Sequence, residues 1–301
     1  MSAADGSYKD ILIDVLAMGE LRETRSGVVK STFSPKQFEY DMSDGTAPLL
    51  TGKQIFTQQM IGELLWFLNG EVEIGDLKYR TWGDKYIDKE TIWTADFKRW
   101  VETAPFAHYH KFYEDLGRLY GEQWRDFAGS YGTEMVNVDQ ISKLIKNLKG
   151  NPSSRYHIVN SWNAAEIDAN QMALPPCHVM FQCYVSNDGK LSLKWYQRSV
   201  DCFLGLPFNI ASYGLLLSIL CSITGYNPGK LIGTFGDAHI YKAHFDAVKT
   251  YMHNPTFDAP VMVLPEIKSL DQLSRMTALD FKGCYENYKH AGPVSAPLLV
   301  G

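Results

Sequence analysis

Pro207 to Ile223 constrains the fold of this chain more than any other stretch. It reads as a long helix that is apolar all round, broken only by Asn209 and a few serines. A surface helix carries a polar face, and this one has none, so it must be enclosed by other layers. No apolar run in the chain is expected to reach the ~18 residues that a membrane-crossing helix needs. Just upstream, Val179 to Val185 and Lys190 to Tyr196 flank Ser186-Asn-Asp-Gly189, a hairpin turn. Tyr156 to Trp162 reads as a further strand. Tyr8 to Gly19, with Ile11, Val15 and Leu16 at helical spacing, reads as an opening helix. Gln58 to Leu68 is an apolar helix stopped by Asn69-Gly70. Val138 to Leu148 is an amphipathic helix closed by Lys149-Gly150-Asn-Pro152. Together these elements predict an α+β fold, a layered and mixed or mostly antiparallel sheet covered by helices.

There is no repeat, low-complexity run or linker in the 301 residues, which predicts one domain over 1–301. Residues 78–113, rich in Trp, Tyr and Lys with little periodicity, are expected to form a peripheral excursion. The formal net charge of −5 argues against a sequence-independent DNA or RNA binder, yet leaves room for a local cationic pocket. The N-terminus has neither the basic start nor the apolar core of a signal peptide. Five cysteines without a CxxC pair disfavour both a disulfide framework and a metal site, and suit a reducing cytoplasm.

The chemistry concentrates in Ala173-Leu-Pro-Pro-Cys-His178 and the residues that follow it. A lone cysteine is usually a small buried hydrophobe. Cys177, however, adjoins His178, follows two prolines that fix the backbone, and counts to about the same distance from the hairpin turn as Arg198. Cross-strand placement would put a guanidinium beside the thiol and lower its pKa. Arg198 and Ser199 together suit a phosphate. Asn209 is either a helix cap or an amide aimed into a pocket, where it could pair with an N–H/C=O ring edge such as that of uracil. His239 and Tyr241, two apart in an extended segment, share one face. Glu63, a carboxylate in a very apolar helix, is either on its exposed edge or buried with a raised pKa suited to proton transfer.

These residues, in this order, resemble the thymidylate synthase family. The match runs from Arg25-Ser-Gly27 to the tail and is dense in Glu63 to Leu68, Asp115 to Gly117, Tyr120 to Arg125, Ala173 to His178, Gln197 to Tyr213, and Gly236 to Tyr241. The resemblance implies a homodimer joined through its sheets, with 5,10-methylenetetrahydrofolate as co-substrate, dUMP as substrate, and no metal, DNA or membrane. It implies that Cys177 adds to C6 of the pyrimidine, Arg198 holds the thiolate and touches phosphate, Glu63 manages protons, Tyr120 assists proton removal and His178 orders the network around the thiol. Asn209 would read the uracil edge, His239 and Tyr241 would hold the sugar hydroxyl, and Gln197 would be among the substrate-binding residues. Arg25 and Ser199 would hold the phosphate, with Arg155 reaching in from the partner subunit. Asp201, Trp93, Ile92, Leu204, Gly205 and Phe208 would line the folate.

The chain departs from the family pattern in the partner's phosphate clamp and on the folate side. Tyr156 stands where a second arginine is usual, and Gln54 follows Lys53 where an arginine is usual. Thr94 and Asp96 replace the usual acids and amides, and Gly83 to Lys89 looks inserted. In the tail, Leu299 replaces a small residue and Gly301 is extra. These changes keep a second outcome open, the water capture carried out by deoxypyrimidylate hydroxymethylases. Asn209 favours uracil, because the dCMP-using relatives carry Asp there. A catalytically idle relative that binds nucleotide or RNA is a third, remote reading.

Overall fold

A computed structural model describes residues 2–104, 110–131, 133–168 and 171–299. Along the chain run α1 (Ala3–Met18), β1 (Glu20–Thr24), β2 (Gly27–Phe33), β3 (Phe38–Asp41), α2 (Thr57–Leu68), α3 (Ile74–Trp82) and α4 (Ile92–Thr103). They are followed by α5 (Tyr120–Arg125), β4 (Phe127–Tyr131), β5 (Glu134–Val138), α6 (Gln140–Gly150), β6 (Ile158–Asn160), α7 (Ala164–Asp168) and β7 (His178–Val185). The last long elements are β8 (Lys190–Asp201), α8 (Gly205–Thr224), β9 (Asn227–Tyr241) and α9 (Phe245–His253). They form two compact units. The first comprises the described residues of Met1–Thr57, Cys183–Pro265 and Gly283–Gly301; the second comprises those of Gln58–Gln182 and Glu266–Lys282.

In the first unit the strands lie in the order β1, β2, β9, β8, with β3 also on β9. The β1–β2, β2–β9 and β3–β9 pairs are antiparallel, whereas β8 and β9 are parallel. Parallel neighbours need a crossover, and α8 supplies it. The expected mixed sheet with helices is therefore present. The predicted hairpin is present too: Ser186 N–H donates to Lys190 O at 2.9 Å, and Gly189 takes φ 75°, which its missing Cβ permits.

Helix α8 corrects one expectation. It spans 20 residues and is long and apolar enough, by length and composition alone, to cross a membrane. Of its most apolar window 83% is buried, so it serves as the core helix the sequence called for. Pro48 packs so closely on Gly214 that a Cβ there would come within 2.4 Å of the proline ring. Tyr8, Ile11, Leu12 and Val15 give α1 its buried face. Each such side chain contributes ~1.5–3 kcal/mol by leaving water.

The second unit is mainly helical, with β6 antiparallel to the start of β7. Met60, Ile61, Leu64, Leu65, Trp66, Phe67 and Leu68 are all buried on α2, and Gly62 lets α3 approach, since a Cβ would lie 2.2 Å from Thr81 Oγ1. Arg80 is buried, donating to Glu71 and to the carbonyls of Ser274 and Met276 at 2.8 and 2.9 Å. Asp139 caps α6 by accepting from Ser142 N–H, and Ile141, Leu144 and Leu148 form its buried face. The strand expected at Tyr156 to Trp162 shortens to β6, leaving Tyr156 exposed. The stretch expected to lack periodicity contains α4, whose Trp93, Phe97 and Trp100 are buried. Residues 105–109 of that stretch lie outside the described residues.

Candidate active site

Two groups of side chains, one in each unit, carry the chemistry named from the sequence. In the second unit Cys177 precedes β7 by one residue. Its backbone N–H donates to Tyr120 Oη at 2.6 Å, so a residue on α5 fixes the backbone that carries the thiol. The Tyr120 ring in turn lies 5.1 Å from that of His178. Cys177 is half-buried, whereas Cys183, Cys202, Cys221 and Cys284 are buried. Burial pushes Cys221 and Cys284 up to about 12, and drives Cys183 and Cys202 upward as well. Those thiols are inert at neutral pH. Partial access thus separates Cys177 from the other cysteines.

Glu63 lies on α2 in the same unit and accepts a hydrogen bond from Trp93 Nε1 at 2.7 Å. Its side chain keeps a little accessible surface, but its carboxyl is closely surrounded. Burial raises it to about 7, against the lowering effect of the Trp93 bond. Of the two alternatives for Glu63, the structure has the buried one, and the apolar surroundings raise its carboxyl. Trp93 packs among Trp66, Phe67 and Tyr120, with centroids 5.8, 6.4 and 6.1 Å away. One aromatic cluster thus connects the carboxyl at Glu63 to the tyrosine that holds Cys177. A carboxyl that exchanges protons near neutrality suits general acid–base work. Ile92 is exposed at the start of α4, and Arg155 is exposed ahead of β6.

The departures Thr94 and Asp96 have local partners. Thr94 Oγ1 accepts from Thr91 N–H in a capping box, and Asp96 pairs with Arg99 at 3.1 Å. The same guanidinium donates to Ala173 O at 3.3 Å, at the start of the cysteine motif.

In the first unit β8, β9 and the start of α8 assemble the second group. Trp195 Nε1–H donates to Gln197 Oε1 at 3.2 Å, and Gln197 Nε2–H donates to Asn209 Oδ1 at 2.9 Å. Trp195 has only a donor, so this chain fixes both amides: Asn209 Oδ1 keeps one lone pair and Nδ2 keeps its hydrogens. Asn209 is five residues into α8, where Leu204 is the N-cap, so the capping alternative does not hold. Gly205 lies between Asn209 and Asp201; a Cβ there would be 3.7 Å from Asn209 Oδ1 and from Asp201 Cβ. Asp201, Leu204, Gly205, Phe208 and Asn209 all keep partial access.

Asp201 Oδ1 accepts from the N–H of Phe203 and of Leu204 at 2.8 and 3.1 Å, and His244 Nδ1 lies 3.7 Å away. Burial raises this carboxyl, but His244 and those amides outweigh it and hold it below the usual range. Lys53 is buried beside them: its Nζ donates to Phe203 O at 2.9 Å and sits 4.0 Å over the Phe203 ring. Burial lowers it to about 8. His239 and Tyr241 share a face of β9, with centroids 5.3 Å apart. His239 Nδ1 lies 3.3 Å from Asp237, which also accepts from Ser31 at 2.7 Å and Arg22 at 3.1 Å. Ser199 and Arg198 lie on β8, with Ser199 in register with Asp237 on β9. Arg25 is exposed in the β1–β2 turn. His244 and the Lys53–Phe203 contact were not legible in the sequence: no spacing links Lys53, Asp201 and His244 before the chain folds.

A profile described as thymidylate synthase matches residues 6–300. The chain belongs to the thymidylate synthase family. It is 45% identical over 272 residues to a protein of Escherichia phage T5 described as "Probable thymidylate synthase", covering 90% of this chain and 91% of that one. Membership makes the chain a one-carbon transferase of a family that binds dUMP and uses methylenetetrahydrofolate. Among the described residues no group of three or more His, Cys, Asp or Glu is placed to hold a metal ion.

Proposed function

We propose that the chain transfers a one-carbon unit to C5 of dUMP, giving dTMP, with Cys177 as the nucleophile. The observation that carries this is the half-buried Cys177, positioned through Tyr120 in the unit that holds the raised Glu63 carboxyl. The thiolate Sγ adds to C6, and the ring's electron pair moves to C5, which becomes nucleophilic. Covalent addition splits one hard step into easier ones. After C5 has gained its carbon, a base removes the C5 proton, with Tyr120 assisting, and the bond from that carbon to the folate nitrogen breaks. Once hydride or water has added to the carbon, Sγ leaves C6 as thiolate. Glu63 exchanges the accompanying protons through water. His178 orders the network around the thiol.

Asn209, held by Gln197, reads the uracil edge with a free lone pair and an N–H donor. Arg198 supports the thiolate and, with Ser199, Arg25 and Arg155 from a second subunit of a homodimer, holds the phosphate. His239 and Tyr241 hold the sugar 3′-hydroxyl. Asp201 fits a pterin because its local partners keep it ionised, and an anion accepts from N–H donors. Leu204, Gly205 and Phe208 flank it, and Trp93 and Ile92 would line the folate side. Bound methylenetetrahydrofolate supplies the one-carbon unit and, for a methyl product, the hydride. Five free cysteines suit a reducing cytoplasm.

One observation favours a second product. Thr94 and Asp96 are engaged in their own helix, so the folate side differs from the family pattern where water must be excluded. Water reaching the bound pyrimidine would give 5-hydroxymethyl-dUMP. Mass spectrometry of the product formed from dUMP and methylenetetrahydrofolate decides between them, since the products differ by one oxygen. Folded protein that gives neither product overturns the proposal and leaves the nucleotide-binding relative.

A further inference from the structure

The run Ala173-Leu-Pro-Pro-Cys-His178 is held at both ends inside the second unit. At its far end Cys177 N–H donates to Tyr120 Oη at 2.6 Å. At its near end Ala173 is buried, and its N–H donates to Leu116 O at 2.9 Å. The Ala173 carbonyl accepts from Arg99 Nη2 at 3.3 Å. That nitrogen also donates to Asp96 at 3.1 Å, three residues earlier on α4. Arg99 Nε is buried without a hydrogen-bond partner among the described residues. A guanidinium serving only as a surface counter-ion to Asp96 would leave that N–H to water.

Two features let the near end of the run govern the far end. Pro175 and Pro176 lock their own φ, and each restricts the residue before it. Few soft torsions remain between Ala173 and Cys177, so a shift at one end passes to the other. The second feature is α4 itself. Its Trp93 donates to Glu63, and Arg99 follows six residues later, about 9 Å along the axis at 1.5 Å per residue. Trp93, Asp96 and Arg99 follow one another at a spacing of three, so each neighbours the next on the helix surface. One helix thus touches both the Glu63 carboxyl and the backbone that leads to the thiol.

We infer that Arg99 is a positioning residue for Cys177: tied to Asp96, it holds the Ala173 carbonyl, and the stiff Leu-Pro-Pro run carries that constraint to the thiol. The catalytic consequence rests on the function proposed above. The mechanical coupling does not. Arg99 acts on the backbone four residues ahead of the nucleophile, and Asp96 fixes the direction of its guanidinium.

The test compares the native protein with Arg99→Ala, Arg99→Lys and Asp96→Asn. Both bonds leave from one nitrogen, so a lysine ammonium with its three donors can replace them. Proline has no N–H, so the run reports through the amides of Ala173, Leu174, Cys177 and His178 alone. Hydrogen exchange resolved to single amides is read first, then kcat beside the Kd for dUMP. Loss of a hydrogen bond from a charged group predicts about tenfold faster exchange at Ala173 and at Cys177 in Arg99→Ala. kcat should fall about tenfold or more, as it does when reacting groups are misplaced, while dUMP affinity holds. Lys should recover most of both effects. Asp96→Asn, which only loosens an i,i+3 pair, should change each about twofold, and it carries the same test if Arg99→Ala does not fold. Faster exchange confined to Ala173 and Leu174, with the Cys177 amide unchanged, overturns the coupling. A parallel loss of dUMP affinity and kcat overturns the positioning role. Native protein that turns over no dUMP overturns the functional reading instead, and exchange at Cys177 still decides the coupling.

Discussion

Glu63→Gln tests whether the fold holds this carboxyl at a cost to its own stability. The change keeps shape and leaves an acceptor for Trp93 Nε1. A rise from 4.5 to about 7 corresponds to about 3 kcal/mol, at ~1.4 kcal/mol per pKa unit. The side chain retains some contact with solvent, which reduces this to about 2 kcal/mol. The sign follows from linkage. A carboxyl whose folded pKa exceeds its unfolded one favours the folded state fully below the unfolded value. That advantage is lost as pH rises through the folded value. Glutamine does not titrate. The variant should therefore gain little on the native protein at about pH 5, gain progressively up to about pH 7, and stay about 2 kcal/mol ahead above that. Urea denaturation of both proteins across this range measures it. Turnover should fall by about 10²–10⁴-fold over the same range, since a positioned proton carrier contributes that much. A stability difference that is flat with pH, or that shrinks as pH rises, would refute the assignment of a raised carboxyl at Glu63.

Cys177→Ser should abolish turnover while calorimetry still detects dUMP binding; normal turnover would remove the nucleophile. Trp93→Phe removes the bond that lowers Glu63, so its pKa should rise by about one further unit, seen as a shift of the same sign in the pH profile of kcat/KM. Asn209→Asp should move preference from dUMP toward dCMP in competition assays, because the carboxylate cannot donate to a uracil carbonyl. An unchanged ratio would show that Asn209 does not read the base.

What the sequence disclosed depended on how local the cause was. Helix α8 was legible because its composition alone demands enclosure, and the turn at Ser186 to Gly189 because its residues and a glycine at φ 75° satisfy it locally. Helix α4 was legible in principle. Trp93, Phe97 and Trp100 stand at i, i+4 and i+7, but intervening Lys, Arg and Thr residues obscured the spacing. Strand β6 was overextended because Tyr156 looks like a strand residue yet lies outside the strand and remains exposed. In the site, the residue types at Cys177, Glu63 and Asn209 could be named from their neighbours. Their partners could not. Tyr120 is 57 residues from Cys177, Trp93 is 30 from Glu63, and Gln197 is 12 from Asn209. Such pairings are set by tertiary packing.

The two carboxyls at the centre of the proposal differ in a way that fits their separate roles. Both are poorly hydrated, and burial alone would raise each of them. Glu63 receives one neutral indole N–H and is raised to about 7, where it can both take and release a proton. Asp201 receives two backbone N–H groups and faces an imidazole, and it is held ionised. Environments that push two carboxyls apart assign one to proton transfer and the other to fixed charge. Exchanging the roles would require Asp201 to lose His244 and the amides of Phe203 and Leu204, which lie just ahead of α8. It would also require Glu63 to gain a cation within an aromatic cluster of Trp66, Phe67 and Trp93. The fold supplies neither, which supports the proposal of Glu63 as the proton carrier and Asp201 as the anchor.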